Sequence, residues 1–181
     1  MATSAENVRV GVTGAIYVGA TSATAPTSAT STLSGFNELG YVSADGVTET
    51  RDRSTSQIRA WQNSDLVRET VTEATATFQA MLMETNADVL AAYYGVSVDG
   101  TDGSVEVDPA ATGGRKSFVI DLIDGTSAIR TYIPEGEILS VGEQVYANGE
   151  AVGYDVTITA YASDEGYSFK KFYSDQVVLG S

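Results

Sequence analysis

The chain has no cysteine and no histidine, one tryptophan, three prolines and only ten Lys and Arg residues. Without cysteine there are neither disulfides nor thiolate zinc sites. Without histidine the commonest general base and the commonest transition-metal ligand are missing as well. Together these absences remove Ser-His-Asp and Cys-His catalysis. Twenty-four acidic residues leave a net charge of −14. Binding duplex phosphates requires cations that displace counterions, so the chain is suited to lying near DNA without adhering to it. The same charge also serves simple solubility. No apolar run approaches the roughly 20 residues that span a bilayer. The stretch Met1-Ala-Thr-Ser-Ala-Glu-Asn7 lacks the basic start and apolar core of a signal peptide, so a soluble product made in a cytoplasm is expected, with no membrane insertion.

Hydrophobic residues make up 43% and charged residues 19%, the balance of a globular protein rather than a disordered one. At 181 residues one domain spanning 1–181 is expected, burying roughly 70% of the surface its unfolded chain would expose. Abundant Val, Ile, Thr and Tyr, interrupted by Gly, Asp and Asn, indicate strands. A first strand is expected at 8–18 and a Ser/Thr/Ala surface loop at 21–34. A short strand at 38–44 should end in a tight turn at Asp45-Gly46. Residues 47–53 and 55–61 form a hairpin arm and its continuation. Residues 72–83 alternate most clearly. Ala74, Ala76, Phe78, Ala80 and Leu82 face one way; Glu73, Thr75, Thr77, Gln79 and Met81 face the other.

One helix follows, with Thr85 as its N-cap, Asp88 completing an acidic capping box, and Gly95 at its C-terminal end. Val89, Leu90, Tyr93 and Tyr94 form its apolar stripe, which is too short to stand without packing on a sheet. After a Gly/Asp-rich connection at 98–114, strands are expected at 118–123, 128–133, 138–146, 152–162 and 167–174. Turns fall at Asn148-Gly149 and Asp164-Glu165-Gly166. The fold class is therefore all-β, a β-sandwich or barrel with one short α-helix packed on it.

Fragments that look catalytic do not complete a site. Ser168-x-x-Lys171 lies on an alternating strand without its partner motifs. Gly114-Arg115-Lys116-Ser117 carries Arg where a phosphate loop needs Gly. Asp99-Gly-Thr-Asp102-Gly-Ser lacks the alternating acids and terminal Glu of a calcium loop and reads as a solvated turn. No carboxylate pair stands out from the acidic background. The expectation is a protein that is not an enzyme, with no catalytic residues, no cofactor and no metal.

Several segments resemble the major tail tube protein of long, non-contractile-tailed bacteriophages, especially those infecting actinobacteria. They are Val12-Thr-Gly-Ala-Ile-Tyr-Val18 with Ala25-Pro-Thr27, and Leu39-Gly-Tyr-Val-Ser-Ala-Asp-Gly-Val47 with Ile58-Arg-Ala-Trp-Gln62. Thr77-Phe78 through Met83-Glu-Thr-Asn86 to Tyr93-Tyr-Gly95 continues the series, and Tyr154-Asp-Val-Thr-Ile-Thr159 with Asp164 and Phe172-Tyr173 ends it. The order and spacing are those of the family; residues 98–114 match no part of it. The resemblance implies a tail-tube domain with an N-terminal strand and loop (1–37) and an extended inter-ring loop (43–60). Copies would form hexameric rings stacked into a hollow tube around a tape-measure protein. Terminator and tail-tip proteins would bound the tube, and viral double-stranded DNA would pass through without specific binding. The site would be the virion tail, with assembly in the host cytoplasm. Glu49, Arg51, Asp52, Arg53, Arg59 and Trp61 are the expected inter-ring contacts. Thr75, Thr77, Gln79, Asp155, Thr157 and Thr159 are expected to face the lumen, since both stretches set a hydroxyl- or acid-bearing face opposite an apolar one. An ordinary solvated face would read the same way.

Geometry is compatible with a channel. Six subunits giving about four strands each, spaced ~4.8 Å and tilted ~40°, close a barrel roughly 48 Å across, and side chains narrow its opening to roughly 40 Å. Closure would also remove exposed edges. Three other readings remain open from the residues: a secretion-system tube subunit, a surface adhesin or carbohydrate-binding sandwich, and a hydrolase built on acidic residues.

Overall fold

The computed structural model describes residues 8–149 and 151–174. Eight strands and one helix follow in order. They are β1 (Thr13–Thr24), β2 (Ser34–Glu38), β3 (Val42–Arg59), β4 (Leu66–Leu82), α1 (Ala87–Tyr94), β5 (Lys116–Asp124), β6 (Ser127–Val141), β7 (Tyr154–Ala160) and β8 (Lys170–Tyr173). All pairings are antiparallel. The sheet runs β2-β1-β5-β6-β7-β4-β3, with β8 added to β6. Its end strands do not pair with each other, so the sheet is not a closed barrel within one chain.

Strand β6 organises the molecule. Its first part, Ser127 to Gly136, pairs with β5, and Ile129 to Tyr132 also pair with β8. Its second part, Gly136 to Val141, pairs with β7. Register irregularities on either side bend the strand, as bulges do where a strand passes from one layer to another. Gly136 stands at this crossing, in register with both Lys116 and Ala160. A Cβ there would lie 2.7 Å from the Phe118 ring and 3.0 Å from Ile158, so only glycine lets the two halves approach.

The halves meet over one core. Ile16, Phe118, Ile120 and Ile133 come from one side; Phe78, Leu82, Tyr154, Val156 and Ile158 come from the other. Leu39 and Val89 close it, and the ring of Phe169 meets Phe78 edge to face at 5.3 Å. The alternation expected over residues 72–83 is present only from Ala76 onward: Ala76, Phe78, Ala80 and Leu82 are buried while Gln79 and Met81 are exposed, and Ala74, expected on the core side, is exposed because β7 ends at the row of Ala76. A second buried layer lies behind β5 and β6. Arg130 forks onto Asp121 with two bonds of 2.7 Å and donates to the Ser31 carbonyl at 2.5 Å, clasping the loop that carries buried Pro26 and Ala29. Its hydrogen bonds to Asp121 push the guanidinium pKa further up.

Several expected boundaries shift. Residues 8–12 precede the first strand, which runs through Thr24 into what reads as a loop. Asp45-Gly46 is not a turn: it lies inside β3, where Val42 pairs with Leu82 and Val47 with Ala80, so the intervening residues bulge out, with Gly46 at φ 70°. The segments 128–133 and 138–146 are one strand ending at Val141. Pro134 is accommodated because the ladder skips there, and its carbonyl accepts from the Ser117 hydroxyl at 2.7 Å. The N-cap is Asn86, whose side chain accepts from the Val89 amide at 2.9 Å; Thr85 instead bonds the Tyr154 hydroxyl. Gly95 ends the helix in the left-handed conformation as expected. Strands expected at 152–162 and 167–174 shorten to β7 and β8.

Candidate functional site

Two surfaces lie outside the core, and the strands that build the core position both. The first is the outer face of β3, β4, β7 and the end of β6. Cross-strand register fixes its rows. Thr50 pairs with Thr77, Thr77 with Thr159, and Thr159 with Glu137. In the next row Thr48 pairs with Gln79, Gln79 with Thr157, and Thr157 with Ser140. Thr75 sits opposite Asp52, and Asp155 opposite Met81. Thus Thr75, Thr77, Gln79, Asp155, Thr157 and Thr159 share one face, because their neighbours Ala76, Phe78, Ala80, Val156 and Ile158 are all drawn to the core.

The face carries hydroxyls, an amide and carboxylates. Gln79 donates to both oxygens of Asp155, at 3.2 and 3.0 Å, and Thr112 donates to Glu137. No Lys or Arg occupies a position in these rows. Arg115, beyond the end of β7, is tied to Glu135 and lies 4.4 Å over the Tyr161 ring. Sequence reading missed Thr48, Thr50, Glu137 and Ser140, because only strand pairing brings them into the rows. Met81, read from the alternation as outward-facing, is an exposed apolar member of this face.

The second surface is the β3–β4 hairpin. Past the row of Arg51, Ala76 and Ala160 the pair loses its β7 neighbour and projects alone. Residues 51–59 and 61–75 are all exposed, and the apolar ones with them: Ile58, Leu66, Val67 and Val71. Trp61 at the tip is 98% exposed. The tip is closed by an Ala60 amide bond to the Asp65 carbonyl at 2.8 Å. Asn63 and Ser64 take the left-handed region there, and Arg59 bonds the Ser64 carbonyl and Gln57.

The six residues expected at inter-ring contacts divide. Arg51, Asp52, Arg53, Arg59 and Trp61 lie on the projecting part. Glu49 lies at its base, bound by Lys171 of β8 and Arg51 on the side that leads into the core. Asp52 shares the polar face through Thr75, whereas Arg51 and Arg53 pair with Ala76 and Ala74 on the opposite side. The hairpin also includes the first half of β4, which sequence reading left out because residues 66–73 have no clean alternation.

At the opposite end of these strands a groove of about 310 Å³ opens between α1, the 107–112 segment and the end of β6. Tyr93 donates to the Gly142 carbonyl at 2.7 Å and Tyr94 to Gln144 at 3.1 Å, which fixes both rings. Burial pushes both phenol pKa values up. Among the described residues no three metal-ligating side chains cluster. The turn carboxylates Asp99 and Asp102 accept from the Thr101 and Ser104 amides.

No curated protein matches the chain in sequence. Two solved assemblies are similar in fold. One is the anti-feeding prophage cap, the tube-terminating cap, at 11% identity and TM-score 0.50, covering 94% of this chain and 98% of that one. The other is the extended sheath–tube complex of an extracellular contractile injection system, PVC, at 9% identity and TM-score 0.51 with the same coverage. The sequence model described as phage tail tube protein matches residues 1–179. The chain therefore belongs to the phage tail tube protein family, a structural component of the virion tail.

Proposed function

We propose that this chain forms hexameric rings that stack into the tail tube, with the polar face of β3, β4, β7 and β6 turned to the lumen and viral DNA passing along it. The observation that carries this reading is the pair of continuous rows, Thr50–Thr77–Thr159–Glu137 and Thr48–Gln79–Thr157–Ser140, with no cation in either. DNA presents about one charge per 1.7 Å of axis, so even a weak attraction per phosphate would multiply along a tube. Hydroxyls and carboxylates give a wetted wall that offers phosphates no counterion to displace. The edge of β3, unpaired among the described residues, would be covered when neighbouring copies continue the sheet around the ring. The projecting hairpin would then make the contacts between rings, and the tape-measure, terminator and tip proteins would set the tube's length and ends. Assembly would take place in the host cytoplasm.

Negative-stain microscopy of concentrated protein tests the assembly. Rings or tubes with a central opening are expected, and single particles at every concentration would refute it. Because the chain has no cysteine, Thr77→Cys is a clean reporter of the lumen. In tubes it should react with a small maleimide but not with one on a polymer too bulky to enter. Equal reaction with both would place Thr77 outside the channel.

A further inference from the structure

Among the described residues nothing covers Trp61 or the groove at the far end of the same strands, and the register places the two at opposite ends of those strands. Leu139 and Val141 of the groove lie near the row of Val47, Ala80 and Val156. The tip lies beyond the row of Arg51, Ala76 and Ala160, in the other direction. From Val47 to Arg59, at ~3.3 Å per residue, the strand spans about 40 Å. An arm at one end and a receptor at the other define a head-to-tail contact, which propagates into a stack instead of closing as a dimer.

The two surfaces also match chemically. The groove is walled by Tyr93, Tyr94, Val107, Pro109, Leu139 and Val141, with Val107 and Leu139 about half exposed. Its tyrosine hydroxyls are already used and the two rings meet edge to face at 4.9 Å, so the tyrosines offer the groove aromatic carbon rather than free hydroxyls. Its volume, about 310 Å³, falls at the small end of natural binding pockets and suits one large aromatic side chain. The groove has no Lys or Arg in its lining and carries Asp108, with Glu106 and Glu143 exposed beside it. The arm from 51 to 75 balances four arginines against four acids, so the whole net charge of −14 belongs to the rest of the chain. Arg53, Arg59 and Arg68 thus approach an acidic body, an arrangement that favours correct docking over random contact. A lone, fully exposed tryptophan has the character of an interface anchor.

We propose that Trp61 of one copy seats in the groove between α1, the 107–112 segment and β6 of the copy in the adjoining ring. This rests on the tube reading above and names the receiving surface for its inter-ring contact. The occupant is a second copy of this chain.

Trp61 is the chain's only tryptophan, so its fluorescence reports on this contact alone. Emission should sit at a solvent-exposed wavelength in dilute protein and move to shorter wavelength as tubes form. Leu139→Arg and, independently, Val107→Arg should abolish both the shift and tube growth while circular dichroism stays native. Leu139→Met should retain both. A photo-reactive benzophenone amino acid in place of Trp61 should cross-link between chains to residues 92–95, 107–112 or 138–141. If tubes form but the cross-links map elsewhere, or the shift persists in both arginine variants, the docking is wrong and the tube reading stands. If neither tubes nor any shift appears at any concentration, both fail.

Discussion

Removing Arg130 should be the most damaging single change outside the hydrophobic core. Its side chain is 8% exposed and that of Asp121 11%, and the two share two bonds of 2.7 Å while Arg130 also holds the Ser31 carbonyl. Arg130→Met keeps most of the bulk but leaves a buried carboxylate without a partner, which costs about 3–5 kcal/mol. With a urea slope of about 2 kcal/mol per molar, the unfolding midpoint should fall by about 1.5–2.5 M. Measurements belong at concentrations too low for assembly, where ring contacts add nothing. Replacing both partners, as Arg130→Met with Asp121→Leu, removes the orphaned charge and should recover at least half of the loss. The loop at 25–33 should still become protease-sensitive, because its clasp is gone in both variants. A single variant costing under ~1 kcal/mol, or a double variant as unstable as the single, would refute the idea that the buried charge sets the cost.

Thr77→Lys should permit assembly, since the position faces outward, but slow DNA ejection by placing a ring of cations along the channel. High salt should restore the rate, and unchanged ejection would detach lumen charge from transit. Arg51→Glu with Arg53→Glu should leave a folded subunit that does not extend tubes; normal tubes by microscopy would exclude those charges from the contact. Asn86→Ala should cost about 1 kcal/mol in a denaturant titration through loss of the cap on α1, with Thr85→Ala acting through Tyr154 instead. Thermal unfolding should be indifferent to EDTA. A drop of several degrees restored by calcium would assign a metal to Asp99 and Asp102.

What could be read in the sequence was whatever the chain encodes locally. Residues 76–82 alternate because each core residue has its polar neighbour next to it, and Gly95 marks a helix end because a left-handed residue is needed there. Asp45-Gly46 misled because a bulge and a hairpin turn need the same positive-φ glycine, and only the partner strand distinguishes them. The break expected between 133 and 138 is absent for a similar reason: the skipped ladder that tolerates Pro134 depends on β5. The lumen candidates were legible as two separate polar faces, but their joining into rows through Thr50, Glu137 and Ser140 is a fact of register. The projecting hairpin was half legible. Its charges were visible, but residues 66–73 follow no period because none of the described residues buries one side of them.

The crossing at Gly136 has a mechanical consequence. Because β6 is bonded to β5, β7 and β8, its amides are released only when both halves of the sheet come apart, so they should exchange with solvent at the rate of global unfolding. The hairpin, bonded only to itself past Ala76, should exchange orders of magnitude sooner in a free subunit. In the proposed tube, a pull applied at the arm by an adjoining ring would enter through β4, pass to β7 and reach β6, where it would load several strands in shear at once. The compliant part of the subunit is thus the part that reaches outward, and in such a tube strain between rings would be taken up there before it reached the core.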